Sequence, residues 1–332
     1  MQNRSIMTRI VETSSVNPWY NLAMEEYLFN NISDKEIILY LWQNKDTVVI
    51  GRNQNPWKEC RCEELKRDGG KLARRLSGGG AVYHDLGNLN FTFIMKEYLY
   101  DFEKQIQVIL NGIKQLGIQA EFTGRNDIVV QGKKISGNAF YFSNNRAYHH
   151  GTILVDTDFS KLSTYLQPSK AKIMSKGIDS VKSRVINLKE LKSDITIDTV
   201  KKSIKQSFIN IYNGTNEDMG INESNEEIKR LYKKYSSWEW RYGDSPDFDI
   251  KFSDKFTWGE IDIRLRLQEG YIKRVTIYSD AMNSTLIQKL AHELKGIQLK
   301  LDNIIKKIDD VAYDCEDNNI IKDIKELFIK MI

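Results

Sequence analysis

Cysteine is scarce in this 332-residue chain. There are three, Cys60, Cys62 and Cys315, too few and too badly spaced for a disulfide framework. Cys60 and Cys62 face opposite ways on a strand and about 200° apart on a helix, so pairing between them is not expected. Four scattered histidines and no Cys-x-x-Cys pair leave no structural zinc site. No apolar run approaches 18 residues, and Met1 to Ile10 does not read as a signal peptide, so a reducing, cytoplasmic setting is expected and a membrane role is not. Nor does one sign of charge dominate. Lys plus Arg is 49 against 45 Asp plus Glu, and a net +4 is too small to suggest nucleic acid.

What is abundant is core material. Hydrophobic residues make up 41% and aromatic residues 11% of the chain, enough to exclude global disorder, and the length suggests two domains. Asn17-Pro18 opens a helix through Phe29, proline costing nothing at a first turn. Ile37–Trp42 and Thr47–Ile50 read as a hairpin about Asn44-Lys45-Asp46, and Asn55-Pro56 opens a second helix closed by Gly69-Gly70. Ala81–Ile94 reads as mostly strand. Phe102, Ile106, Ile109, Ile113 and Leu116 mark an amphipathic helix stopped by Gly117. Antiparallel strands follow over 118–155, turning at Gln131-Gly132 and Asn144-Asn145. Val200, Ile204, Phe208 and Ile211 mark another helix, ended by Gly214, and the acidic stretch Asn216–Glu227 is a surface excursion. Ser245-Pro246-Asp247 reads as a linker, before a hairpin over 261–277 and two or three short helices. The expected fold class is therefore α+β, with mixed or antiparallel sheets flanked by helices. The expected boundaries are 1–246 for a larger domain and 247–332 for a small α+β accessory domain.

Four segments carry possible chemistry. Arg74-Arg75-Leu76-Ser77-Gly78-Gly79-Gly80 feeds the strand Ala81-Val82-Tyr83, followed by His84. Glycines without Cβ let backbone N–H groups approach an anion, and two arginines add forked donors. Neither a Walker loop nor a dinucleotide fingerprint is present, so the anion is not named by this pattern. Asn126-Asp127 opens a strand across the turn from Lys134-Ile135-Ser136-Gly137-Asn138. Small polar residues within a strand mark a ligand near the backbone, while an exposed Lys-Lys turn remains the plain alternative. His149 and His150 must face opposite ways on a strand, which reads as one structural and one exposed histidine. Ser175–Val185 is either a loop over an anionic ligand or an ordinary exposed loop. Trp238, Trp240 and Trp258 read as core and interdomain packing.

Together these segments resemble the lipoate–protein ligase A family over nearly the whole chain. The resemblance runs from Asn17–Ala23, Trp42 and Gly51–Trp57 through Arg74–Asn88, Gly124–Val130, Lys134–Gly137 and His149–Thr152. It continues through Ser180–Val185, Ser237–Trp240 and Phe256–Gly259. The string Arg-Arg-x-Ser-Gly-Gly-Gly-Ala-Val-Tyr-His-Asp is its most specific part, and the Gly-Arg-Gly-rich loop of biotin ligases is absent. One departure is Tyr141, where some members carry arginine.

The resemblance implies a biotin/lipoate ligase-like catalytic domain that activates lipoate with ATP and Mg²⁺ to lipoyl-AMP. The lipoyl group then passes to a lysine of an acceptor lipoyl domain, on a 2-oxoacid dehydrogenase E2 subunit or the glycine-cleavage H protein. By family position Lys134 and Asp127 are catalytic, Asp127 orienting Lys134 or a Mg²⁺ ion. Arg75, Ser77, Gly79, Gly80, Ala81, Val82, Tyr83, Asn88, Asn126 and Lys134 are implied for ATP and lipoyl-AMP. Trp42, Gly80, His84, Lys134, Gly137 and His150 are implied for lipoate. A monomer is expected, with no nucleic-acid or membrane partner. The rival readings are a lipoyltransferase using preformed lipoyl-AMP, an octanoyltransferase, and a non-catalytic lipoate or adenylate binder. The octanoyl route needs a nucleophilic cysteine after the lysine strand, and none lies between Cys62 and Cys315.

Overall fold

The computed structural model describes residues 6–123, 126–167, 184–216, 225–242, 249–268, 270–312 and 317–331. The fold is α+β, with mixed and antiparallel sheets flanked by helices. The linker at Ser245-Pro246-Asp247 and most of the acidic excursion and of the Ser175–Val185 loop lie outside the described residues.

By contacts the chain forms two units. The first takes residues up to Val49, Pro56–Arg74 and Ala81–Arg241; the second takes Ile50–Asn55, Arg75–Gly80 and Tyr242 onward. The first unit is organised by an eight-stranded sheet. Its strands are β1 (Met7–Glu12), β2 (Glu36–Trp42), β6 (Asn88–Lys96), β7 (Glu121–Thr123), β8 (Asp127–Val130), β9 (Lys133–Ser143), β10 (Arg146–Leu154) and β11 (Thr215–Asn216), in the order β11-β1-β2-β6-β10-β9-β8-β7. β1 runs parallel to both β2 and β11, while pairs from β2 to β7 are antiparallel.

The alternation of side chains divides this sheet. Leu39, Leu41, Leu89, Phe91, Phe93, Met95 and Ile153 form a core with the helices α4 (Phe102–Gln115) and α7 (Ile197–Tyr212). Helix α4 starts on Asp101, whose carboxylate accepts Lys104 N–H, and its buried Ile106, Ile109 and Ile113 sit one turn apart. Helix α7 ends at Asn213, which takes the left-handed conformation instead of the following glycine (φ 46°). Gly214 is needed for another reason: a Cβ there would stand 2.6 Å from the Ile6 carbonyl. The opposite face of the sheet packs on α1 (Pro18–Asn30), which starts on Asn17 as its proline implied.

Two strand expectations need correction. β2 and β3 (Thr47–Ile50) are not a hairpin, because β3 belongs to a separate sheet ordered β4-β3-β5 with β4 (Lys71–Arg74) and β5 (Val82–His84). The connection carries a buried Asn44 that is tied to Asn21 and His84, so polar pairing redirects the chain there. Likewise 81–94 breaks between β5 and β6, where Asp85 accepts the N–H groups of Gly87 and Asp158 at 2.9 and 2.8 Å. The helix opened by Pro56 is also split, into α2 (Pro56–Glu59) and α3 (Cys62–Arg67). Both turns read from sequence are present, with Gln131, Gly132, Asn144 and Asn145 all at positive φ.

In the second unit β12 (Ile250–Phe256), β13 (Gly259–Gln268) and β14 (Tyr271–Ser279) form an antiparallel sheet. Ile261, Ile263 and Leu265 pack against Leu286, Ile304 and Phe328 on α10 (Ser284–Glu293), α11 (Leu301–Ala312) and α12 (Asn318–Met331). Trp258 donates to Asp323 and stacks on Phe256, a packing role. Trp240 donates to the Arg74 carbonyl, but Trp238 is 48% exposed and is not core.

Candidate active site

The lysine and aspartate fall on one face only because of a bulge. In a regular β8–β9 ladder Lys134 would oppose Val130 and point away from Asp127. Here the register shifts between Ile128 and Val129, so that Ile128 opposes Ser136 while Val129 opposes Lys134. The extra residue, Ile135, is buried in the core, and the slip turns Lys134 onto the face of Asp127. Lys134 Nζ then lies 2.7 Å from Asp127 Oδ1, both side chains about a third exposed (34% and 38%). The ammonium crosses Gly137, where a Cβ would meet Nζ at 2.7 Å. The backbone is held too: Lys134 N–H donates to Arg184 O at 2.7 Å, and Ile186 N–H donates to Lys134 O at 3.0 Å.

The same face continues across the sheet through residues that the register brings into line. Gly137 N–H donates to Thr152 Oγ1 at 3.2 Å; Thr152 opposes Asn90, and Asn90 opposes Trp42. Asn88 lies two positions along the strand and donates to Asn90 Oδ1 at 3.0 Å. Trp42 Nε1–H donates to Thr92 Oγ1 at 3.1 Å, and Thr92 donates to Glu25 Oε1 at 2.7 Å. His150 Nδ1 lies 2.8 Å from the same carboxylate oxygen. A carboxylate can only accept, so Nδ1 carries the proton. His84 is held by Asn44: since Asn21 Nδ2 donates to Asn44 Oδ1, the Asn44 amide nitrogen faces His84 Nδ1, which is therefore the unprotonated nitrogen. The His84 ring meets Trp42 edge-on at 6.3 Å.

The structure thus brings together Lys134, Asp127, Gly137, Asn88, Trp42, His84 and His150. Asn126 lies beside them, its amide donating to Asn138 O at 3.2 Å. Val82, Tyr83 and His84 form β5, and the Tyr83 hydroxyl turns to Asp46 (3.0 Å); burial and that carboxylate hold the phenol protonated well above its usual range. Tyr141 packs its ring against Phe29 and Tyr148.

His149 and His150 do face opposite ways, but neither is exposed. His149 is fully buried among Phe91, Phe93, Phe102 and Phe140, with Asn138 Oδ1 at 2.8 Å and Gln105 Oε1 at 2.9 Å. Burial, then the neighbouring His150, push its pKa well below the usual value. Glu25 and Thr92 were not singled out from sequence. Their signal was a charged residue on the buried side of α1 and a threonine amid a strand of large apolar residues.

Arg75, Ser77, Gly79 and Gly80 sit on one loop of the second unit. Arg75 is buried and its guanidinium donates to Ser77 Oγ at 3.0 Å, Gly78 O at 2.6 Å and Gly80 O at 2.8 Å, shaping the loop itself. Gly79 N–H donates to Ala281 O (3.2 Å), and Ser284 Oγ to Leu76 O (3.2 Å). Gly78 has no room for a side chain, since a Cβ would stand 2.2 Å from the Ala281 carbonyl. Arg74 is buried and donates to the carbonyls of Trp240 and Arg241 in the first unit. Cys60 and Cys62 are buried and not joined by a disulfide; their mutual interaction, with burial, pushes the Cys60 thiol pKa up, and the same interaction lowers that of Cys62.

Residues 17–209 match the family model of the lipoyl protein ligase A/B catalytic domain. The chain belongs to that family. Residues 245–331 match the bacterial lipoate protein ligase C-terminus. A relative from Blochmanniella floridana named lipoate-protein ligase A is 42% identical over 300 residues, covering 88% of this chain and 89% of its own. Among solved structures, Plasmodium falciparum LipL1 in complex with lipoate superposes with a TM-score of 0.85 at 30% identity, covering 98% of this chain and 99% of that one. A lipoate-protein ligase A bound with ATP has a TM-score of 0.62 at 28% identity, covering 72% and 99%.

No helix among the described residues is long and apolar enough to cross a membrane. Among the same residues no group of three or more His, Cys, Asp or Glu is placed to hold a metal ion.

Proposed function

We propose that this chain is a lipoate–protein ligase that makes lipoyl-AMP from lipoate and ATP and transfers the lipoyl group to a lysine of an acceptor lipoyl domain. The observation that carries the reading is the Lys134–Asp127 pair lying across Gly137, at one end of a row that runs from the half-buried Gly137 and Thr152 to the buried Asn90 and Trp42. In the first step a lipoate carboxylate oxygen attacks the α-phosphorus of ATP and pyrophosphate leaves. Two anions must meet, and the Lys134 ammonium relieves their repulsion while Asp127 fixes its position. In the second step an acceptor lysine amine adds to the acyl carbon, the new C–N bond forms, and AMP departs with the C–O electron pair. Lys134 remains beside the phosphate through both steps.

The backbone of Gly79 to Tyr83, with Arg75 and Ser77 shaping the loop, serves as the cradle for the nucleotide phosphates. Asn88 and Asn126 are assigned to the adenylate end in this reading. Trp42, His84 and His150 line the acyl chain, an aromatic pocket ending in a charged group, which suits an acid with an apolar tail. Among the described residues Asp127 is the carboxylate beside Lys134 that would hold a metal. That donor set fits Mg²⁺ brought in by ATP, which keeps waters and phosphate oxygens as most of its ligands. When bound, the ion would neutralise phosphate charge. Residues 1–246 form the catalytic domain in this reading, and 247–332 the accessory one. Acceptors are E2 lipoyl domains, the H protein, or both, and the protein works as a cytoplasmic monomer.

The test is to incubate the protein with ATP, Mg²⁺, lipoate and each candidate acceptor, and to weigh the acceptor. A gain of one lipoyl group, with pyrophosphate released, is expected. Transfer from preformed lipoyl-AMP without pyrophosphate release from ATP would make the chain a lipoyltransferase instead.

A further inference from the structure

We infer that Asn90 contacts the substrate directly, its side-chain amide donating a hydrogen bond to the acyl oxygen of the bound acid and of its adenylate. The inference rests on the ligase reading above and adds to it a residue that neither motif nor resemblance singled out. Asn90 is 1% exposed and Asn88 is fully buried, both on β6. Asn88 donates to Asn90 Oδ1, and that bond uses one amide hydrogen and one oxygen of the pair. Asn90 Nδ2 and Asn88 Oδ1 then meet no partner among the described residues. Unmet buried amides destabilise a fold, and apolar residues at these positions would avoid the loss. Leu89 and Phe91, on the opposite face of the same strand, are apolar core residues, so the polarity is confined to the face of Lys134.

The position of Asn90 says what the unmet donor faces. It stands in the row Gly137, Thr152, Asn90, Trp42, on four adjacent strands and one face. Neighbouring strands lie about 4.8 Å apart, so a carboxyl group held by Lys134 above Gly137 and Thr152 is one strand from Asn90. Of the other polar groups in the row, Trp42 Nε1–H is given to Thr92, and Thr152 Oγ1 accepts from Gly137 N–H while keeping its own hydroxyl hydrogen, a second neutral donor beside Asn90. A neutral donor at this point complements Lys134. When the acceptor amine adds, negative charge gathers on the acyl oxygen, where a fixed N–H is most effective.

The experiment uses the full-length protein and begins with lipoate-dependent ATP–pyrophosphate exchange by the unmodified chain; if that is absent, the ligase reading fails whatever Asn90 does. With exchange established, Asn90→Asp keeps the shape, removes the donor and opposes the carboxylate. It should raise KM for lipoate about 10–100-fold with KM for ATP unchanged. Calorimetry should show the preference of the unmodified protein for lipoate over neutral lipoamide reversed, because an aspartate can accept from the amide N–H₂. Should Asn90→Asp not fold, Asn90→Ser retains a donor and should keep the preference for lipoate. Equal weakening of lipoate and lipoamide by Asn90→Asp, or loss of the preference in a folded Asn90→Ser, would overturn the inference.

Discussion

The two faces of the eight-stranded sheet are built from the same strands and do different things. On β6, Phe91 and Phe93 enter the core under α4 and α7, while Asn90 and Thr92, one residue away, join Trp42, Glu25 and His150. β10 repeats the division with two adjacent histidines: His149 is wedged among four phenylalanines, and His150 is tied to a carboxylate. Strand alternation gives both faces at once, so the apolar face can fix, residue by residue, where the polar face puts its groups. The site residues on this face rest on a rigid sheet more than on loops.

That division can be broken from either side. The largest expected effect is on the polar face, where Lys134→Ala should lower lipoate-dependent pyrophosphate release by about 10²–10³-fold. Its thermal unfolding should be unchanged, because the side chain is a third exposed. Near-normal activity in a folded variant would end the proposed mechanism. On the apolar face, Phe93→Ala should cost about 3–5 kcal/mol in urea unfolding, with activity per folded molecule kept under conditions where the protein stays folded. If stability hardly changed while lipoate affinity fell, the two faces would not be separable. Gly137→Ala should be milder than Lys134→Ala. Its methyl group meets only the flexible end of Lys134, so the lysine shifts, activity falls roughly tenfold to a hundredfold, and the fold survives.

Much of the apolar face was legible in the sequence, because periodicity and turn chemistry are local. The spacing of Ile106, Ile109 and Ile113 places α4, and the two asparagine or glycine turns place β8 to β10. Long-range pairing was not legible. Nothing near Thr47 says that β3 pairs with β5 instead of β2. The motif residues Lys134 and Asp127 could be named from the resemblance, but not the bulge at Ile135 that puts them on one face, since a register shift has no composition of its own. Arg74 shows the converse. It lies in the most specific string of the chain, yet it serves packing, holding the carbonyls of Trp240 and Arg241. Glu25 was passed over because one carboxylate in a helix reads as surface until the partner strands show that its side of α1 is buried.

The smallest expected effect separates the two histidines by pH. His149 is buried and its pKa lies well below the ordinary value, desolvation being the first cause. A neutral ring donates through one nitrogen and accepts at the other. Asn138 presents its oxygen, an orientation fixed by its own amide donating to Asn126 O at 2.9 Å, so Gln105 is the amide that turns to donate to Nδ1. In the unfolded chain His149 takes up a proton near pH 6.5; in the folded protein it does not. The unfolded state therefore binds more protons just below that pH, and stability must fall as the pH drops from about 6.5 toward the depressed folded value, by up to about 1.4 kcal/mol per pH unit. Above 6.5 the contribution is complete and flat. Carboxylates add their own acid dependence, so the quantity to measure is the difference in slope between the natural protein and His149→Gln, by urea unfolding at pH 5, 6, 7 and 8. The variant should be less stable overall but show a shallower loss from pH 6.5 downward. Parallel curves would mean that His149 is protonated in the folded state, and that the phenylalanine face is less dry than its packing implies.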